Sequence, residues 1–348
     1  DRRQFAGNLG LAELAIFARN KAASTAEEGR DAGIDLSVVN PELRPCARKY
    51  GSGFGYSLQD IYRDQAVQAR EKVVFKTNVP VVKRWIPVPG GAPDVAVYLV
   101  NVKPGASRPA IVHTHGGGFV LGSARARVPA AQGWAAELDC LVATVEYRLA
   151  PETTYKGIIE ETYAALRWVY RHAGELGVDP TRIAVMGGSA GGGLAALLAL
   201  TARDRGEVPV AFQALIYPML DDRTGSSRRP PKDVGKFIWT PDDNRIGWRA
   251  FLGQEPGTAK VPTVAVPARC TNLAGLPATF IGVGSIDLFC DEDVRYARRL
   301  MDAGIQTELM VVPGAFHGFD LFAPSTKVAQ SFVATKMNAL KRAFAGQF

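Results

Sequence analysis

The sequence predicts an α/β protein: a mostly parallel central sheet flanked by helices on both faces. Two observations carry this. From about residue 80 onward, short apolar runs alternate with helix-length segments, the order that parallel strands with crossover helices require. Most of the runs are nearly continuous in apolar residues rather than alternating, which is how a strand covered on both faces reads. The runs are Val95–Val100, Ala110–His115, Leu141–Val145, Ile183–Met186, Ala211–Ile216, Thr279–Val283 and Thr307–Val312. Helical segments are expected between them, at Ala130–Leu138, Ile158–His172, Gly192–Arg203, Asp291–Ala303 and Val328–Ala345. The link between the first two runs is too short to hold a helix, so those strands are expected to be antiparallel neighbours.

Two segments break the alternation. Residues 1–75 read as helical and irregular, with an amphipathic helix carrying Leu11, Leu14, Ala15 and Ala18 on one face and a glycine-rich stretch from Tyr50 to Tyr56. Residues 219–270 lie between two runs and are far longer than an ordinary connection. They hold Asp221-Asp222-Arg223, the Pro230-Pro231 turn, and the aromatics Phe237, Trp239, Trp248 and Phe251. Residues 219–270 are therefore expected to form an inserted subdomain, either a lid over a pocket or a structural flap with a small core of its own.

The 348 residues carry a net charge of +7, spread thinly; the densest cluster is Arg228-Arg229 with Lys232 nearby. No basic run of the nucleic-acid-binding kind is present, so no nucleic-acid partner is expected. No stretch approaches about 18 uninterrupted apolar residues, so no integral membrane segment is expected. Cys46, Cys140, Cys270 and Cys290 are far apart with no CxxC pair, which argues against zinc and for reduced thiols, with Cys140 in the core. The opening Asp1-Arg2-Arg3-Gln4-Phe5 is faintly like an export signal, but Glu13, Arg19 and Lys21 interrupt the apolar stretch that such a signal needs. Cytoplasmic residence is expected, with export as the alternative.

The strongest chemical signal is Gly187-Gly188-Ser189-Ala190-Gly191, which follows the run Ile183–Met186 and opens the helical Gly192–Leu198. Strand, sharp turn and helix around G-x-S-x-G make a nucleophile elbow, in which strained backbone lifts the serine and small neighbours let the turn pack closely. A second signal, His115-Gly116-Gly117-Gly118-Phe119, ends the run Ala110–Thr114. Acyl transfer develops an oxyanion that needs close, preorganised N–H donors, and glycine permits the approach. Gly117 lies in this run, and the N–H of Ala190 follows the serine. His115 is expected to pin the loop rather than act as a base.

Of the four histidines, His113 is inside a strand upstream of the elbow and His172 is at a helix end, where a solvent-exposed cap is the plain reading. His317, just after the last strand, sits where the order Ser…Asp…His puts the base. Asp287 is the first of four carboxylates after the preceding strand. Asp291, Glu292 and Asp293 fall at a helix start, where capping and dipole compensation are their plain roles. Asp287 is expected to hold the imidazole tautomer.

Together these residues resemble the hormone-sensitive-lipase-like branch of the α/β-hydrolases, the bacterial family IV esterases. The resemblance spans roughly 80–345 and includes HGGGF at 115–119, Tyr147-Arg148-Leu149-Ala150-Pro151-Glu152, the elbow, Tyr217-Pro218, Asp287 with Asp291-Glu292 behind it, and HGF at 317–319. It implies the α/β-hydrolase fold with a helical cap, in which 1–75 are N-terminal cap helices, 76–218 and 271–348 the core and 219–270 a cap insertion, and a serine carboxylesterase that turns over short- to medium-chain esters without metal or cofactor. It gives Ser189, Asp287 and His317 the catalytic roles, and Gly117, Gly118 and Ala190 the oxyanion hole. Phe119, Phe237, Trp239 and Phe319 are candidates for the substrate pocket. Three positions depart from the pattern: Gly188 where Asp or Thr is usual, Lys156 where proline is common, and Leu288 in place of proline after the aspartate. The expected partner is a small-molecule ester, and a homodimer is compatible with the sequence. An amidase, lactonase or acyltransferase with the same triad is the alternative. Non-catalytic receptors of this fold lack the functional histidine, which is present here.

Overall fold

The computed structural model describes residues 35–51, 57–69 and 72–348. The expected helix over Leu11–Ala18 and most of the glycine-rich stretch lie outside these residues. The centre is an eight-stranded sheet: β1 Val81–Ile86, β2 Val95–Val100, β3 Arg108–Thr114, β4 Leu141–Glu146, β5 Val178–Gly188, β6 Phe212–Ile216, β7 Ala278–Gly284 and β8 Thr307–Val312. The order across the sheet is β1-β2-β4-β3-β5-β6-β7-β8. β1 and β2 are antiparallel to their neighbours, and every pair from β4–β3 to β7–β8 is parallel.

Two expectations are corrected. β2 and β3 are not neighbours, because β4 slots between them and pairs with both. A link too short for a helix is still long enough to step over one strand, since strands lie only about 4.8 Å apart and an extended residue spans about 3.3 Å. β1 has no counterpart among the apolar runs. It is an edge strand whose central Lys83, Arg84 and Trp85 face solvent, and charge on an edge is how sheets avoid pairing further.

The helices are α1 Arg44–Tyr50, α2 Leu58–Ala69, α3 Ala124–Leu138, α4 Tyr155–Arg171, α5 Ala173–Leu176, α6 Ala190–Arg205, α7 Pro241–Leu252, α8 Cys290–Asp302, α9 Phe319–Phe322 and α10 Lys327–Phe344. Strand side chains alternate between faces, and the core divides accordingly. Val112, Ala143 and Val185 join Leu166 of α4, Leu198 of α6 and Leu300 of α8 on one face. Ile111, Val142 and Ala184 join Val128 and Ala135 of α3 and Phe332 and Leu340 of α10 on the other. Both faces of the central strands are thus buried, which explains their unbroken apolar runs.

Residues between β6 and β7 carry α7, whose start is fixed by a capping box: Thr240 and Asp243 satisfy each other's backbone N–H groups. Ala250 of α7 and Ile61 of α2 share a small apolar cluster with Val120, Leu121 and Ala150. The Gln65 amide donates to the Val120 carbonyl at 2.8 Å. α2 and α7 therefore meet above the loop that follows β3. Among the described residues, no helix is long and apolar enough to cross a membrane.

Candidate active site

The site forms at the carboxyl ends of β3, β5 and β7 and in the loop after β8. Ser189 sits between β5 and α6 with φ 58° and ψ −128°, a conformation that costs a non-glycine residue energy and persists only where the surroundings impose it. The surroundings do. The Ser189 N–H donates to the Ile216 carbonyl at 2.9 Å, and the Ser189 carbonyl accepts from Gly193 and Met219 at 3.1 and 3.0 Å. A Cβ on Gly187 would lie 2.2 Å from the Gly191 carbonyl oxygen, and one on Gly191 would lie 2.2 Å from that of Thr114. The elbow and the end of β3 therefore touch backbone to backbone, and the Thr114 hydroxyl closes the contact by donating to the Gly191 carbonyl at 2.7 Å.

That contact carries the 115–119 loop up against the serine. Its glycines are needed for geometry: Gly117 has φ 121°, and a Cβ there would strike the Leu121 carbonyl at 2.1 Å. His115 is fully buried, and its ring stacks on Tyr147 with centroids 4.2 Å apart. Its Nδ1 faces the Gly116 carbonyl at 2.9 Å, and since a carbonyl only accepts, Nδ1 carries the proton. Burial pushes its pKa down to about 4, so the ring is neutral. The Tyr147 hydroxyl donates to the His115 carbonyl at 2.7 Å, and the Ala150 N–H donates to that of Phe119 at 2.9 Å. The Tyr147–Glu152 segment thus serves as a brace for the glycine loop.

Ser189, His317 and Asp287 come together although they are far apart in the chain. His317 Nε2 lies 2.9 Å from Ser189 Oγ, and its Nδ1 lies 2.9 Å from Asp287 Oδ2. A carboxylate can only accept, so Nδ1 carries the proton and Nε2 is left to accept from the serine hydroxyl. The other carboxylate oxygen accepts from the Phe289 N–H at 2.9 Å. Asp287 is completely buried, and the imidazole is held between the rings of Tyr217 and Phe289, 4.9 and 5.1 Å away. The loop bearing His317 is anchored from the amino-terminal side, where the Asn40 N–H donates to the Gly314 carbonyl at 2.9 Å.

The neighbouring carboxylates behave differently from one another. Asp291 is exposed and pairs with Arg295 at 2.9 Å. Glu292 is buried and accepts from the N–H groups of Leu220 and Asp221, so it tethers the chain after β6 rather than capping a helix. The residue preceding α8, Phe289, provides no side-chain cap. Burial, with Glu292 and Asp287 nearby, pushes the Asp293 carboxyl well above its ordinary range. Of the other histidines, His113 lies on the Thr144 hydroxyl at 2.9 Å, and His172 binds the Trp168 carbonyl at 2.9 Å and stacks on that indole, so it is less open to solvent than an exposed cap. All four cysteines are free, Cys140 in the core.

The backbone N–H groups of Gly117, Gly118 and Ala190 donate to no described residue. Ala190 is the first residue of α6, where a helix offers its own N–H groups no acceptor. Gly117, Gly118, Ser189 and His317 line one cavity of about 90 Å³. Of the four aromatics expected around it, only Trp239 borders it. Its indole lies over Gly118, where a Cβ would meet the ring at 2.2 Å, and its Nε1–H donates to Asn244 at 3.1 Å. Phe119 stacks on Phe251 with centroids 4.0 Å apart, Phe237 packs on Phe316, and Phe319 packs on Phe332. These three are buried in the core and do not line the cavity. The remaining wall comes from Ile238, Leu121, Leu321, Phe322, Tyr217 and Arg127. Tyr217 belongs to a recognisable Tyr-Pro pair; nothing in the sequence around the others marks them.

Residues 111–321 match the α/β-hydrolase-fold family. Carboxylesterase NlhH of Mycobacterium tuberculosis is 38% identical over 236 residues, which cover 68% of this chain and 74% of that protein. Carboxylic ester hydrolase LipN of the same organism is 32% identical over 303 residues, 84% of this chain and 79% of that one. Among solved structures, a bacterial heroin esterase superposes with a TM-score of 0.80 at 36% identity, covering 89% of this chain and 99% of that one. On the family match and these relatives, the chain belongs to the α/β-hydrolase-fold family, in its hormone-sensitive-lipase-like branch of carboxylic ester hydrolases.

Proposed function

We propose that the protein is a serine carboxylesterase that cleaves short- to medium-chain carboxylic esters through an acyl-enzyme on Ser189. The observation that carries this is the continuous chain from Ser189 Oγ through His317 to Asp287, with both hydrogen bonds at 2.9 Å. His317 Nε2 takes the serine proton as Oγ attacks the ester carbonyl, and Asp287 stabilises the imidazolium that forms. The developing oxyanion is met by the N–H groups of Gly117, Gly118 and Ala190, donors with no competing acceptor in the described chain. The imidazolium then protonates the leaving alkoxide oxygen as the C–O bond breaks, and the alcohol departs. Water, deprotonated by the same histidine, releases the acid and restores the serine. Every proton is held by the chain or by water.

Residues 219–270, with the amino-terminal helices, act in this reading as the cap that excludes water. The cavity at the serine supports short to medium acyl groups: at about 10–15 Å³ for each water-sized position, its volume of about 90 Å³ accommodates roughly six to nine of them.

The test compares matched para-nitrophenyl esters and para-nitroanilides of acetate, butyrate and octanoate. The esters should turn over with kcat/KM peaking at short or medium chains, and the anilides should lag far behind. Faster anilide turnover, or a preference for emulsified long-chain triglyceride, would overturn the assignment. In the same assay, Asp287→Asn should lower kcat by about 10⁴-fold, because the imidazole is left in the wrong tautomer. Asp291→Asn should keep it within about tenfold, a barrier change of no more than about 1.4 kcal/mol. The reverse pattern would move the acid to Asp291.

A further inference from the structure

A second cavity, of about 330 Å³, lies behind the elbow between α3, α9, α10 and the ends of β5 and β6. It shares Arg127, Gly188, Tyr217 and Leu321 with the cavity at Ser189, so the two adjoin along these residues. Gly188 is the thin point. Gly187 and Gly191 are imposed by backbone crowding, but a Cβ on Gly188 would meet nothing closer than the Tyr217 ring at 3.4 Å, an ordinary contact. Crowding therefore does not require glycine at this position.

Lys336 of α10 lines this cavity and is only 7% exposed. Its ammonium sits over the Trp134 ring, 5.7 Å from the centroid, and makes no hydrogen bond or ion pair with any described residue. The other ionisable groups on the walls are placed as follows. Glu137 is paired with Lys341 at 2.9 Å, and Asp320 accepts the Tyr217 hydroxyl at 2.7 Å. His113 is kept neutral by burial and by nearby Arg127. Arg127 brings a second positive charge to both cavities. Burial lowers the Lys336 pKa, while the nearby Asp320 and Glu137 carboxylates act the other way. A largely buried ammonium with no bonded partner gains when an anion meets it.

We propose that this cavity receives the carboxylate-bearing arm of the ester, with Lys336 as counter-ion and Gly188 as the open side of the passage. The inference rests on the ester-hydrolase reading and adds a substrate class to it: esters whose acyl or alcohol portion ends in a carboxylate.

The experiment uses two matched pairs. On the acyl side, the para-nitrophenyl monoester of glutaric acid is compared with para-nitrophenyl valerate. On the alcohol side, the acetyl ester of γ-hydroxybutyrate is compared with that of n-butanol. In one pair the anionic member should be favoured in kcat/KM by about tenfold or more, the worth of a charge-assisted hydrogen bond. That preference should collapse in Lys336→Met and survive largely in Lys336→Arg. Gly188→Thr, which narrows the passage without touching Lys336, should also reduce it and guards against a Lys336 variant that fails to fold. No anionic preference in either pair, or one unchanged in Lys336→Met, overturns the proposal. Turnover of the neutral esters that Ser189→Ala abolishes would then leave the catalytic reading intact, whereas turnover surviving in Ser189→Ala would refute that reading instead.

Discussion

The two sides of the cavity at Ser189 are built from different materials. One side is backbone: the elbow at 187–191 and the glycine loop at 115–118, interlocked at Gly191 and Gly116 and each folded tightly on itself at Gly187 and Gly117, contacts that leave no room for a Cβ. The other side is side chain: Trp239 seated on Gly118 and held by Asn244, with Ile238 and Leu321 beside it. Backbone contacts admit very few residue types. Side-chain walls can be rebuilt from many. The reaction should therefore be brittle on the first side and the substrate preference adjustable on the second.

The comparison breaks most visibly at the glycines. Gly191→Ala drives a Cβ to 2.2 Å from the Thr114 carbonyl and 2.5 Å from that of His115. Overpacking of this kind costs about 1–3 kcal/mol or more, and displacement of the serine should lower kcat on the order of 10²-fold. Gly188→Ala, three positions away, should leave the melting temperature unchanged or raise it, since an unstrained replacement of glycine gains up to about 1 kcal/mol through the unfolded chain. Equal destabilisation of the two variants would erase the distinction.

On the side-chain wall, Trp239→Ala should lengthen the preferred acyl chain, each accommodated methylene adding about 0.8 kcal/mol, roughly fourfold in kcat/KM. The triad should go on working while stability drops by about 3–5 kcal/mol, as for other buried tryptophans. An ester profile that keeps its peak after this change would mean that Trp239 is not the limiting wall.

A smaller effect sharpens the contrast between Asp287 and its neighbours. The Asp293 carboxyl titrates well above its ordinary value because it is buried, with Glu292 and Asp287 close by. Its folded pKa thus exceeds its unfolded one. Over the interval between them the folded chain holds a proton that the unfolded chain has released, so this group's contribution is complete at low pH and is lost as pH rises from about 4 upward. Asp293→Asn should flatten part of the fall in melting temperature that sets in above about pH 4. Glu292, shifted in the same direction by burial and Asp221, should keep the remainder. A profile identical to wild type would show that Asp293 is not held protonated.

Legibility in the sequence follows the same division. Ser189, the glycine loop and the parallel strands are readable because crowding and two-sided burial force particular residue types into particular orders. Asp287 could be chosen among four carboxylates only by its place immediately after a strand. The roles of Glu292 and Asp293 could not be read, because they depend on what α8 packs against. β1 was invisible, as an edge strand with a charged middle carries no apolar run. The misjudged neighbours β2 and β3 show that link length limits reach but not order across the sheet. Phe119, Phe237 and Phe319 mislead for a related reason: near a site, an aromatic that lines the cavity and one that supports it from below look alike in sequence. Lys336 and Trp134, on different helices, give no sign that they share a cavity wall.

The central claim is that one serine, lifted by the β5–α6 turn, is the nucleophile. An organophosphonate ester followed by peptide mass spectrometry tests it most directly. A single adduct per chain is expected, on the peptide bearing Ser189, with loss of ester turnover in step with labelling and neither labelling nor turnover in Ser189→Ala. Labelling at another serine, or turnover persisting in Ser189→Ala, would contradict it.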